Sequence, residues 1–91
     1  MCGIAGQLNF AGQCDERLVR KMTSVLEHRG PDDEGFFVDG PVGLGMRRLK
    51  IIDLQTGRQP IHNSNKKVWL VVNGEIYNFR ELRTMLESRG Y

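Results

Sequence analysis

Apolar residues recur along this chain with two periods, and the switches between them mark its elements. Residues 3 to 10 put Ile4, Leu8 and Phe10 on one parity with Gly6 between them, the period-two pattern of a strand. After a turn at residues 12 to 15 the spacing becomes helical. Leu18, Val19, Met22, Val25 and Leu26 form one stripe, Asp15 is placed to cap it, and a helix to about Glu27 is expected. Gly30 and Pro31 stop it, the glycine by permitting a left-handed cap and the proline because it cannot continue a helix.

Phe36, Phe37 and Val38, then Val42 to Met46, read as two strands joined by an Asp39-Gly40-Pro41 turn, a hairpin. The second strand is expected to run on to Asp53, with Arg48 and Lys50 on one face and Leu49 and Ile51 on the other. Val68 to Val72 is continuously apolar, the pattern of a strand buried on both faces. Asn73-Gly74 follows, a strong hairpin signal. Only Glu75, Ile76 and Tyr77 remain for a returning strand, however, so a bend with exposed polar groups is expected instead. Asn78 and Glu81 have capping-box spacing ahead of a helix striped by Phe79, Leu82, Met85 and Leu86 and closed by Gly90.

Composition narrows the class. Hydrophobic residues at 40% and charged residues at 26% fit a soluble globular chain of at most one domain. A net charge of +2, from 13 basic and 11 acidic residues, offers no electrostatic footprint for nucleic acid or an anionic membrane. No apolar run approaches the ~20 residues that span a bilayer, and no basic stretch opens a secretory signal. The two cysteines, Cys2 and Cys14, do not make a disulfide framework, so reduced thiols in a cytoplasmic protein are expected.

The candidate chemistry begins at Cys2. Removal of Met1 would leave a cysteine whose free α-amino group lies beside its own thiol, a nucleophile with a built-in base. An ordinary thiol, with pKa about 8.5, is only a few per cent thiolate at neutral pH and profits from such a neighbour. On position alone Cys2 is better explained as an accident of composition. Small Gly3, Ala5 and Gly6 leave room beside it for a ligand or for close backbone packing. Arg48 is either a solvated charge or a planar two-donor clamp for a carboxylate. Asp32, Asp33 and Glu34 lack the spaced oxygen ligands of a metal site and read as a solvated turn.

Five stretches in order, Met1-Cys-Gly-Ile4, His28-Arg-Gly-Pro-Asp-Asp33, Arg48-Leu-Lys-Ile-Ile-Asp53, Gln59-Pro60 and Val72-Asn-Gly-Glu-Ile-Tyr-Asn78, resemble the glutaminase domain of glutamine-dependent asparagine synthetases. These are class II, N-terminal-nucleophile amidotransferases. The resemblance implies an α+β fold, the four-layer αββα sandwich with mostly antiparallel sheets, of which residues 1–91 would be the N-terminal part. It implies glutamine hydrolysis: Cys2 as nucleophile, the Asn73 side-chain amide and the Gly74 N–H as oxyanion hole, and Arg48 on the substrate α-carboxylate. Glu75 would take the substrate ammonium, and Leu49, Ile51 and Ile52 would line the pocket. The glutaminase step would need no metal or cofactor. ATP and Mg would serve a C-terminal synthetase domain of the full-length chain, and a homodimer is compatible with the family. Met46 and Lys50 stand where these synthetases usually carry histidine and serine, which leaves another ammonia acceptor open. The alternative is a structural or docking fragment without activity, since half a sandwich exposes sheet edges.

Overall fold

The computed structural model describes residues 2–49 and 57–91. Strand β1 (Gly3–Leu8) is followed by helix α1 (Glu16–Ser24) and by strands β2 (Asp33–Asp39) and β3 (Val42–Arg48). Two short strands, β4 (Ile61–His62) and β5 (Trp69–Leu70), and helix α2 (Phe79–Ser88) complete the order. The first three strands form one antiparallel sheet in the order β1-β3-β2, and β4 and β5 form a second antiparallel pair. This is an α+β arrangement with antiparallel sheets, consistent with part of an αββα sandwich.

Alternation along the strands decides which layer covers which face. Gly43 and Gly45 of β3 turn toward α1, where a side chain would collide with Val19 and Thr23. Ala5 pairs with Gly45 and lies on the same face, as does Phe36 of β2, over whose ring the Arg20 guanidinium sits at 4.4 Å. The helix therefore approaches a floor of small residues. The sequence put Ile4, Leu8 and Phe10 on one parity without saying which way that face turns, and in the structure Ile4 and Leu8 remain 48% and 53% exposed and Phe10 is almost fully exposed. Their face is the one turned to the second sheet. That sheet lies over β2, where Phe37 stacks on Trp69 at 4.1 Å, so β1 is left partly uncovered. Gly3 shows what its smallness is for, since an added Cβ would lie 2.9 Å from the Leu26 side chain. Its small size here serves packing.

Asp15 caps α1 as its chemistry predicts, its side chain accepting from the Leu18 N–H at 3.2 Å. The α-helix ends at Ser24, and the chain then tightens into i→i−3 turns through Arg29 instead of continuing to Glu27. Its buried positions are Val19 and Thr23, whereas Leu18 and Val25 are exposed. The Thr23 hydroxyl is satisfied by the Val19 carbonyl at 2.7 Å, which lets a polar residue occupy the tightest part of the core. Gly30 is not left-handed: it is buried, and a Cβ there would collide with the Arg47 backbone. Close approach, and not a positive φ, requires glycine at that position.

The β2–β3 hairpin turns through Gly40 at φ 53°, as expected, but β2 begins earlier, at Asp33. Strand β3 ends at Arg48; the expected extension beyond residue 49 lies outside the described residues. The apolar run at residues 68 to 72 forms a strand only at Trp69 and Leu70. Val68, Leu70 and Val72 are exposed, because among the described residues β5 pairs with β4 alone and nothing covers its outer face. Helix α2 starts after Asn78, yet the capping box does not form: Asn78 has φ −95° and ψ 32°, and its side chain makes no cap bond. Its C-terminus is better specified. With Gly90 at φ 89°, the Tyr91 N–H reaches the Leu86 carbonyl at 3.0 Å and the Gly90 N–H that of Glu87 at 3.1 Å, the paired bonds of a Schellman close. No residue of α2 is buried.

Candidate functional site

Cys2 lies immediately before β1, half-buried, and both its carbonyl and its sulfur are engaged. Arg29 Nε donates to the Cys2 carbonyl at 3.2 Å, and the Leu49 N–H points at Cys2 Sγ at 3.4 Å. The register explains why these residues meet. Gly3 pairs with Arg47 and Ile4 with Met46, so the start of β1 runs beside the end of β3, and Leu49 is the next residue but one after Arg47. Both cysteines are free thiols. Cys14 is half-buried, with Sγ close to Gly43.

Arg48 occupies the last position of β3 and is only 9% exposed. The sequence grouped it with Lys50 on a basic face. By strand parity, however, it continues the face of Val42, Leu44 and Met46, so its guanidinium is embedded at the end of an apolar row. Gly57 approaches it closely: a Cβ there would lie 3.5 Å from the Arg48 Nη2. Burying a cation this deeply is costly unless anionic or carbonyl groups accept from its N–H donors, and a planar guanidinium is suited to paired contacts with such groups.

The loop before β2 is pinned against this strand end. Arg47 Nε donates to the Gly30 carbonyl at 2.8 Å, its Nη1 to Glu34 at 2.9 Å and its Nη2 to the Pro31 carbonyl at 3.4 Å. The Asp32 N–H donates to the Arg48 carbonyl at 3.2 Å. The loop singled out at residues 28 to 33 thus sits beside Cys2 and Arg48, with Arg29 its direct contact to Cys2. Sequence reading gave Arg29 and Arg47 no role. Arg29 meets Cys2 at a sequence separation of 27, a contact that no local pattern announces.

Residues 73 to 75 lie on the other layer. Gly74 is at a bend, as expected, and Asn73, Gly74 and Glu75 are all exposed. Among the described residues only the Val72 side chain comes within 4 Å of where a Cβ on Gly74 would stand. Among the described residues no hydrogen bond joins these three to Cys2 or Arg48. The structure brings Cys2, Arg48 and Leu49 together on the first sheet and places Asn73, Gly74 and Glu75 on a separate segment. Ile51 and Ile52, the remaining pocket candidates, lie outside the described residues.

Comparison with known proteins gives this arrangement a context. A family model for the glutamine amidotransferase domain matches residues 1–91. The chain is 46% identical over 95 residues to glutamine-hydrolysing asparagine synthetase 1 of Bacillus subtilis, a match covering 100% of this chain and 15% of that relative. It is 41% identical to synthetase 2 of the same organism, over 97% of this chain and 12% of the relative. For the glutamine-hydrolysing asparagine synthetase 1 of Arabidopsis thaliana the identity is 39%, over 100% of this chain and 16% of the relative. The chain therefore spans less than a fifth of the length of the curated relatives it matches. Among the described residues no helix is long and apolar enough to cross a membrane. With the family match extending over its whole length, this chain belongs to the glutamine amidotransferase domain family.

Proposed function

We propose that this domain hydrolyses glutamine with Cys2 as its nucleophile and delivers the ammonia to an ATP-dependent synthetase domain of the same full-length chain, which makes asparagine or a related amide. One observation carries the reading: the Leu49 N–H lies 3.4 Å from Cys2 Sγ, so the sulfur is held against the backbone of the residue that follows the buried Arg48.

In this reading the Cys2 sulfur attacks the side-chain amide carbon of glutamine. A C–S bond forms, and the amide oxygen gathers negative charge facing the Asn73 side-chain amide and the Gly74 N–H. One such donor typically contributes ~10²–10³ in rate. The α-amino group exposed by loss of Met1 passes the thiol proton to the departing nitrogen, the C–N bond breaks, and ammonia leaves. Water then attacks the thioester, yielding glutamate and restoring the thiol. Arg48 binds the substrate α-carboxylate through two parallel N–H donors, and Glu75 binds the ammonium. Leu49, Ile51 and Ile52 line the pocket. No cofactor is required for this half-reaction, whereas ATP and Mg would serve the synthetase domain. The named relatives, all glutamine-hydrolysing asparagine synthetases, support asparagine as the product.

The test is glutamate release from glutamine by the full-length protein, with and without Cys2→Ala. The substitution is expected to abolish hydrolysis while leaving any ammonia-dependent synthesis intact. Retained hydrolysis would overturn the proposal.

A further inference from the structure

The segment proposed as the oxyanion hole is almost untethered. Strand β5 stops pairing at Leu70, and among the described residues no hydrogen bond holds Asn73, Gly74 or Glu75. The last anchor before them is at Val72, and it is a side chain. Gln59 Nε2 donates to the Val72 carbonyl at 3.0 Å, while Gln59 Oε1 accepts from the Val72 N–H at 2.7 Å. Both backbone groups of Val72 are thereby satisfied in a closed pair, as a neighbouring strand would satisfy them.

The backbone of Gln59 is fixed in turn. Its carbonyl and the Pro60 ring lie so close over Gly35 that a Cβ on that residue would collide with the carbonyl. Gly35 pairs with Met46, and Met46 pairs with Ile4, two residues from Cys2. One continuous set of contacts therefore runs from the first sheet through Gln59 to the residue before Asn73.

We propose that Gln59 is a positioning residue which, through its amide pair with Val72, sets the distance of Asn73 and Gly74 from Cys2. The inference rests on the oxyanion reading of Asn73 and Gly74 given above. Gln59 itself touches no reacting atom. Its contribution is to geometry, where a misplacement of about 1 Å can cost ~10²-fold in rate.

The test compares Gln59→Leu, Gln59→Glu, Asn73→Ala and the Gln59→Leu/Asn73→Ala double variant in the full-length protein, reading glutaminase kcat and KM together with the rate of Cys2 alkylation by iodoacetamide. Gln59→Leu is expected to lower kcat by about 10- to 100-fold with KM changed less than threefold, since only the transition-state contact is lost. Cys2 alkylation, which uses no oxyanion hole, stays at the wild-type rate. Gln59→Glu keeps the acceptor for the Val72 N–H and loses the donor to its carbonyl, so it falls between the two; should the leucine variant fail to fold, it carries the test. The double variant is expected to be no slower than Asn73→Ala alone, because the two residues act through one contact. If Asn73→Ala slows turnover while both Gln59 variants leave it within twofold, this inference fails and the oxyanion reading stands. If Asn73→Ala itself has no effect, the oxyanion reading fails and takes the inference with it. Losses that multiply in the double variant also overturn the role, since Gln59 would then be acting elsewhere.

Discussion

Cys2 stands at the head of a six-residue strand that is paired along its length with β3 and backed by α1, whereas residues 73 to 75 follow a two-residue strand with an exposed outer face. The first region is held by many small fits: Gly3 under Leu26, Gly45 under Thr23, the Arg47 fan across residues 30 and 31. The second is held by few. Phe37 stacks on Trp69, and Gln59 clamps Val72. The nucleophile role proposed for Cys2 needs a fixed address, and a dense sheet with a helix pressed onto it provides one. Groups that meet charge only as it develops can sit on a more weakly tied segment, provided something sets their distance. Local stability follows packing density, so the two halves of the proposed site are expected to differ in rigidity as well as in chemistry.

That contrast can be broken or sharpened experimentally, and beyond the loss of hydrolysis expected of Cys2→Ala the largest effect is expected on the weakly held side. Asn73→Ala should lower glutaminase kcat by ~10²–10³ with little change in thermal midpoint, since an exposed side chain carries no packing. A matching loss of stability would show that the segment is structural and would erase the distinction. Next, Arg48→Lys keeps the charge but loses the planar fork, and should raise KM for glutamine by about tenfold or more with kcat nearly unchanged. A fall in kcat at constant KM would instead place Arg48 in the chemical step.

Smaller shifts are expected in stability. Gly45→Val forces two methyl groups against Thr23 and should cost ~1–3 kcal/mol in chemical denaturation. Trp69→Leu removes one aromatic stack between the layers and should cost about 1 kcal/mol. If the tryptophan change proved the more damaging, the second layer and not the helix-backed sheet would be the stabilising half.

Sequence reading succeeded where the chemistry is local. The Asp15 cap, the turn at Gly40 and the Gly90 close of α2 each depend on residues within a few positions, and each is found where their types demand. It did not say which face of β1 is the inner one, and large apolar residues ordinarily mark the buried side. Here α1 comes so near that glycine and alanine line that side, and Ile4 and Leu8 face the thinly covered one. Arg48 was assigned to a basic face for a related reason: beside Lys50 it looks like surface charge, yet strand parity puts it at the end of the Met46 row. At Asn78 a capping box was expected from spacing alone, and the backbone angles there do not permit it. Gln59 was visible as half of a Gln-Pro pair, but its bonds to Val72 span 13 residues, and only the fold reveals them.

The most direct measurement of the central claim is covalent labelling of the full-length protein with a glutamine-analogue electrophile, read by intact mass and peptide mapping. The account predicts a chain that begins at Cys2, modified at that residue alone and protected by added glutamine. A chain that retains Met1, or labelling that is indifferent to glutamine, would contradict it.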